Sequence, residues 1–526
     1  MLTLEQLTPE QKIGRVLCFR RFTEEEDIEF TLEMVKKEAV GAIQLKFNNR
    51  TKALAKKIRE AADYPVIIVN DMEQGFPLSS LPKIPMMTLA AANDPEYSRL
   101  FGAAIAKEAR EYGYSGCWGP IVDILLVDGP CSVYRKAADT PDAVTEVARD
   151  ILRAFDSYSF HGTAKHYPGG QDNPVDTHMA DGIASADKKT LLERDLTPYL
   201  TLMKEELLPA IMVGHQVCPK IDDIPATLSK KVIDIIREEG YDGVLYTDSL
   251  AMMAILQKYG ERGAMEMAFN AGCDIILPNY RTTAKDAYEM MLSAYREGLI
   301  SDERLDEAVR RVMKLEQYCA RTPKCPVPVP DNIAEILDNI ARDSITAECV
   351  DGIEPAVDPK KPGMFVVSTP LDFKEEDSGA EIYTGSWYDP RRVADSISES
   401  FPNARIEFVS EYEGAARHEQ ILNAATGYDE VVFVSFCTST SYLGTDCLTR
   451  RTEALINAFR IAGKLEALVH FGNPLALGMI GDVSRILLGY TAPSAQKYAF
   501  EVLAGKLPAR GKNPFPRLMK ESREKR

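Results

Sequence analysis

Short apolar runs of strand character recur along the first three-fifths of the chain, and amphipathic stretches with helical spacing separate them. The runs are VGAIQL (40–45), PVIIVND (65–71), GCWGPIVDI (116–124), GTAKHYP (162–168), AIMVGHQ (210–216), GVLYTDS (243–249) and GCDIILPN (272–279), and IGRVLCF (13–19) can begin the series. TEEEDIEFTLEMVKKE and KKTLLERDLTPYLTLMKEE typify what lies between. Eight buried strands alternating with helices predict an α/β fold, a (β/α)8 TIM-like barrel over residues 1–320. Periodicity does not show closure, so a doubly wound open sheet is the competing arrangement.

RTPKCPVPVPD carries four prolines between positions 323 and 330 and cannot continue a helix. It opens a linker and connecting helix over 321–362, the helical stretch being NIAEILDNIARDSITAECV (332–350). A second alternating segment follows at 363–520, with strand candidates MFVVST, IEFVSE, EVVFVSF, LEALVHFGNP and SRILLGY. These predict a smaller C-terminal α/β sandwich domain. Residues 521–526 end the chain as a charged, solvated tail.

The first residues, MLTLEQLTPEQ, hold neither a basic nor an apolar leader segment, and no apolar run reaches the roughly 18 residues that span a bilayer. The ten cysteines are scattered without a CxxC pair, which suits a reducing compartment and makes the cytoplasm the expected location. A net charge of −17 disfavours a nucleic-acid surface. No cluster with metal-ligand spacing is evident, so no cofactor is expected.

Ionisable residues gather where the apolar runs end. Asp71 follows VIIVN, Asp123 follows GPIV, Lys165 and His166 follow GTA, His215 follows IMVG and Asp248 follows VLYT. In a barrel these ends share one mouth, the face on which such folds carry their sites. A carboxylate at an apolar strand end, as Asp248 is, can attack a sugar carbon. An imidazole oriented by an acidic neighbour can then protonate the leaving oxygen. Asp176 and His178, two residues apart after Pro168, Gly169, Gly170 and Pro174, have that spacing on a loop able to reach across a mouth. Lys165 beside His166 also admits another chemistry, Schiff-base formation with a carbonyl.

KHYPGGQDNPVDTH (165–178) resembles the KH(F/I)PG…D(S/T)H signature of glycoside hydrolase family 3, in its β-N-acetylglucosaminidase branch. MVGHQVCPKIDDIPATLS, REEGYDGVLYTDSLAM, AGCDIILP and GLISDERLDEAVRRVMKLE are similar to further motifs of that family in the same order, over roughly residues 5–318. Residues 332–520 resemble its second domain more loosely.

The resemblance implies that Asp248 is the nucleophile, His178 the general acid/base and Asp176 its dyad partner. It places Lys165, His166, Asp71 and Arg135 in sugar binding, with His215 lining the same pocket and Asp123 mainly holding loops. The implied reaction is retaining hydrolysis of a terminal β-linked N-acetylglucosamine from a small carbohydrate or glycoconjugate. Phosphorolysis, another β-glycosidase such as a β-glucosidase, and a non-catalytic sugar-binding relative are the alternatives. The second domain closes over the site, adds a sugar contact or mediates homodimerisation. Two departures stand out: DMEQGFP replaces the family's DQEGGRV, with Phe76 and Pro77 where an arginine usually follows the glycines, and PGGQ replaces PGHG.

Overall fold

The computed structural model describes residues 2–20, 24–128, 133–323, 325–361, 363–369, 388–410, 413–437 and 448–524. Two compact units emerge: residues 1–80, 98–127 and 140–333 form the first, and residues 81–97, 128–139 and 334–526 the second. Cys131, Cys447 and the last two residues of the charged tail lie outside the described residues.

In the first unit, strands β1 (Cys18–Phe19), β2 (Ala42–Gln44), β3 (Ile67–Asp71), β4 (Gly116–Ile121), β5 (His161–Tyr167) and β6 (Ala210–Val213) pair in sequence order. A short hairpin, β7 (Val217–Cys218) with β8 (Asp222–Pro225), interrupts the series before β9 (Val244–Thr247) adds to β6. All seven strands of this sheet are parallel.

The segment expected as an eighth strand closes the sheet without forming a ladder. Ile275 bridges Tyr246 and Ile276 bridges Leu17. The amide of Ile276 donates to Val16 O and its carbonyl accepts from Cys18 N, both at 2.9 Å. Further pairing is diverted because Leu277 N donates to the Thr247 hydroxyl at 2.8 Å. IGRVLCF also departs from expectation. Thr8, Pro9 and Gln11 build a capping box, and the helix Pro9–Arg15 takes up IGR, leaving two residues of strand.

Alternation along the strands fills the barrel. Cys18, Ala42, Ile67 and Val69, Ala210 and Met212, Val244 and Tyr246 meet in one buried cluster with Trp118, and His161 stacks on Tyr246. Two residues beyond Cys18, Ala42, Val69 and Tyr246 the same face carries Arg20, Gln44, Asp71 and Asp248, and Lys165 follows His161 and Thr163 in the same phase. The top layer of the barrel is therefore polar because the period of two continues past the apolar run.

The second unit is a six-stranded sheet, ordered β10 (Thr346–Cys349), β15 (Arg485–Tyr490), β14 (Leu465–Gly472), β13 (Val431–Cys437), β11 (Met364–Thr369) and β12 (Arg405–Ser410). Five strands are parallel and match the five runs read from the sequence. The sixth, β10, lies antiparallel on β15 inside the stretch expected to be helical to residue 350. That helix stops at Asp343, where the Ser344 hydroxyl bonds back to Ala341 O and the Thr346 hydroxyl pairs with that of Tyr490. The charged C-terminal stretch likewise departs from a free tail: a helix spans Pro516–Glu524, with Leu518 and Met519 buried. Among the described residues, no helix is long and apolar enough to cross a membrane.

Candidate active site

Lys165 is 2 % exposed, and its ammonium lies 2.6 Å from Asp71 Oδ1 and 2.7 Å from Glu73 Oε1. Two carboxylates at that range hold a cation. A Schiff base needs a neutral amine, so this environment opposes the carbonyl chemistry that the sequence left open. Asp71 itself opens to solvent, its side chain half exposed, and retains acceptor capacity for a ligand. Glu73, in DMEQG, was not among the residues singled out from the sequence.

His166, next on β5, is fixed by Asp123. One carboxylate oxygen accepts from the backbone N–H and the other from Nδ1–H, each at 2.9 Å. Nε2 is thereby turned toward Asp248 Oδ2, 3.9 Å away. Asp123 thus orients a histidine, in keeping with its expected loop-holding role.

Asp248 stands just beyond β9, its Oδ1 accepting from Ser249 N at 2.6 Å. Burial alone would raise its pKa, but His166, His215, the Ser249 amide and Lys165 outweigh that and hold it well below the usual carboxylate range. His215 sits lower than expected for a pocket-lining group. It is 1 % exposed, with Nδ1 2.7 Å from the Thr227 hydroxyl and Nε2 donating to Ser249 O at 3.0 Å. Burial depresses its pKa, against the pull of Asp248. With both nitrogens engaged, it braces the loop that carries Asp248 and leaves no nitrogen for a sugar.

The loop after β5 brings in the second histidine. Asp176 Oδ1 accepts from His178 Nδ1–H at 2.7 Å and from the His178 backbone N–H at 2.9 Å. Because a carboxylate only accepts, Nδ1 carries the proton and Nε2 is the nitrogen left for proton transfer. Met253 N donates to His178 O at 3.2 Å, which ties this loop to the segment after Asp248. The charges of His166, His178 and Asp248 all act on His215.

Gln171, where the family motif breaks, spans the base of the loop: its Nε2 donates to Val175 O at 2.6 Å and Asn173 O at 3.0 Å. Asn173 continues the brace to Ile183 N, and Asp181 pairs with Lys258. At the other departure, Phe76 is buried among Phe47, Tyr112 and Tyr114, with ring centroids 5.0–5.9 Å apart. The DMEQGFP turn therefore contributes packing where an arginine would contribute charge. Arg135 lies in a turn of the 128–139 segment, which belongs to the second unit.

Arg20 escaped the sequence reading altogether. It is 8 % exposed and donates from Nε to Gln44 Oε1 at 2.7 Å and from Nη1 to Ser249 Oγ at 2.6 Å and Pro278 O at 2.8 Å. Its signal was the alternation from Cys18.

A closed parallel barrel whose C-terminal rim gathers carboxylates, histidines and a buried lysine has the layout of a barrel enzyme's reaction site. The chain belongs to glycosyl hydrolase family 3: the profile for the "Glycosyl hydrolase family 3 N terminal domain" matches residues 8–315. Among curated proteins it is 24% identical over 336 residues to a beta-N-acetylglucosaminidase/beta-glucosidase of Cellulomonas fimi, covering 60% of this chain and 58% of that one. It is 31% identical over 232 residues to a beta-hexosaminidase of Nitrosomonas eutropha, covering 40% and 64%. Both matches thus take in less than two thirds of the relative. Among solved structures, a glycoside hydrolase family 3 beta-N-acetylglucosaminidase from Paenibacillus sp. str. FPU-7 superimposes with a TM-score of 0.78 at 25% identity, over 97% of this chain and 99% of that one. A beta-glucoside phosphorylase, BglX, shares the fold with a TM-score of 0.80 at 19% identity, over 98% of this chain and 96% of that one.

Proposed function

We propose that the protein is a retaining glycoside hydrolase that removes terminal β-linked N-acetylglucosamine. The observation that carries this is the Asp176–His178 pair, held on a loop tied through His178 O to the segment after Asp248. Family membership and the beta-hexosaminidase and beta-N-acetylglucosaminidase relatives support it.

In this reading Asp248 attacks the anomeric carbon while His178 Nε2 gives its proton to the departing oxygen, leaving a glycosyl ester on Asp248. Asp176 stabilises the imidazolium before transfer and fixes the tautomer after it. Water then attacks the anomeric carbon of this ester, His178 takes the water's proton, and Asp248 leaves as carboxylate. The depressed pKa of Asp248 keeps the attacking group ionised throughout the neutral range. Lys165, His166 and Asp71 hold sugar hydroxyls. No metal or organic cofactor enters the reaction. A cytoplasmic location fits the eight cysteines described as free thiols.

A panel of aryl β-glycosides, run with wild type, Asp248→Ala and His178→Ala, tests the reading. It predicts a preference for the N-acetylglucosaminide and loss of turnover in Asp248→Ala. An equally active Asp248→Ala, or a preference for the glucoside, contradicts it. The same assay in phosphate and in an inert buffer separates hydrolysis from phosphorolysis, which alone yields a sugar 1-phosphate.

A further inference from the structure

A chain of hydrogen bonds runs around the barrel rim through residues that the proposed chemistry does not use. Asn70 Oδ1 accepts from the Asp71 amide at 2.9 Å and from Gln44 Nε2 at 3.0 Å. Gln44 Oε1 accepts from Arg20 Nε at 2.7 Å, and Arg20 Nη1 donates to Ser249 Oγ at 2.6 Å. Ser249 then donates its amide to Asp248 Oδ1 at 2.6 Å. The backbone amide of Asp71 and the carboxylate of Asp248 are thus linked through Asn70, Gln44, Arg20 and Ser249, across β3, β2, the end of β1 and the end of β9.

We propose that Arg20 is a positioning residue for Asp248. Ser249 is clamped at two points. His215 Nε2 holds its carbonyl from below, and Arg20 holds its hydroxyl from β1 while gripping Pro278 O at 2.8 Å on the closing segment. The amide that fixes the Asp248 carboxylate belongs to this same residue, so the orientation of Ser249 sets the direction of attack. A guanidinium suits the task, since it reaches three acceptors in a fixed planar fork, which an ammonium does not reproduce. The charges of both Asp248 and Asp71 act on Arg20, placing it in the field of both ends of the chain of bonds. A nucleophile displaced by about 1 Å loses about 10²-fold in rate without losing substrate affinity. Arg20 therefore acts on kcat, with KM left to Lys165, His166 and Asp71.

The inference rests on Asp248 as nucleophile, and the experiment separates the two. Steady-state kinetics on an aryl N-acetylglucosaminide compare wild type, Asp248→Ala, Arg20→Met, Arg20→Lys and Ser249→Ala. The expected result is a fall in kcat of tenfold or more in Arg20→Met and Ser249→Ala, with KM within about threefold of wild type. Arg20→Lys should recover part of the loss. If Arg20→Met does not fold, Ser249→Ala, which removes only the hydroxyl acceptor, decides. Unchanged kcat in Ser249→Ala, or a loss confined to KM, overturns the inference while wild type remains active and Asp248→Ala inactive. A wild type inert on aryl glycosides, or an Asp248→Ala variant as active as wild type, overturns the nucleophile assignment and the inference with it.

Discussion

His178 serves the proposed chemistry only if Nε2 is the nitrogen that gives and takes the proton, and Asp176 decides that by accepting from Nδ1–H. Replacing His178 with alanine should cost about 10²–10⁴-fold on a substrate with a poor leaving group and far less on a dinitrophenyl glycoside, whose leaving oxygen needs no proton. Rates across a series of phenols check this: a slope against leaving-group acidity no steeper than that of wild type contradicts the role. Asp176→Asn keeps the shape but lets the imidazole adopt the other tautomer, and should fall by a similar factor on the poor leaving group. At this scale much of the site was legible. Lys165, His166, Asp176, His178 and Asp248 stand out because each follows an apolar run or sits at a spacing that chemistry requires. Arg20 and Gln44 were hidden because β1 and β2 are only two and three residues long, too short to announce their phase. His215 was legible as a strand-end residue but not as a buried brace, since nothing in IMVGHQ foretells that Thr227 and Ser249 O will occupy both nitrogens.

The loop after β5 depends on small features of its own. Gly170 has φ +72°, and a Cβ there would lie 3.0 Å from Asp195 Oδ2 and 3.3 Å from Leu191 Cδ2. Restoring the histidine that the family motif carries should therefore destabilise the protein, by about 1–3 kcal/mol, instead of improving the site. Thermal denaturation of Gly170→His checks this, and an unchanged midpoint contradicts it. Gln171→Ala removes the two bonds that span the loop base and should lower kcat severalfold with little change in melting temperature, because the loop contributes position more than core. These interactions were not legible: PGGQ reads as a departure from a motif until Asp195 and the carbonyls of Asn173 and Val175 are placed around it. The antiparallel β10 escaped for a related reason, since TAEC is half buried and follows an amphipathic helix without a break.

For the molecule as a whole, acid stability turns on histidines buried without charge. Burial holds His161, under the barrel core, and His470, in the second unit, at about 4, against 6.5 in an open chain. His161 touches Ser115 O and Cys319, and His470 bonds Ser435 and Asn473 O. Between pH 6.5 and 4 the unfolded chain binds protons that the folded one refuses. Their contribution is therefore complete above 6.5 and is lost as pH falls toward 4, each site accounting for about 3 kcal/mol. Calorimetry should show the melting temperature falling over that interval, and His161→Phe should flatten the slope. A wild-type profile flat from pH 7 to 4 contradicts this role for the two histidines. The alternating barrel and the five parallel strands of the second sheet were readable from apolar runs. The assignment of residues 81–97 and 128–139 to the second unit was not, because a linear pattern divides the chain into consecutive blocks.

In the proposed reaction Asp248 attacks the sugar and holds it covalently. Incubation with a fluorinated N-acetylglucosaminyl fluoride, which forms the ester faster than it hydrolyses, followed by proteolysis and mass spectrometry, tests it most directly. The expected result is one added glycosyl mass, on the peptide carrying Asp248, absent in Asp248→Ala and formed more slowly in Ser249→Ala. A label on another carboxylate such as Glu73, or turnover with inversion at the anomeric carbon and no label, contradicts it.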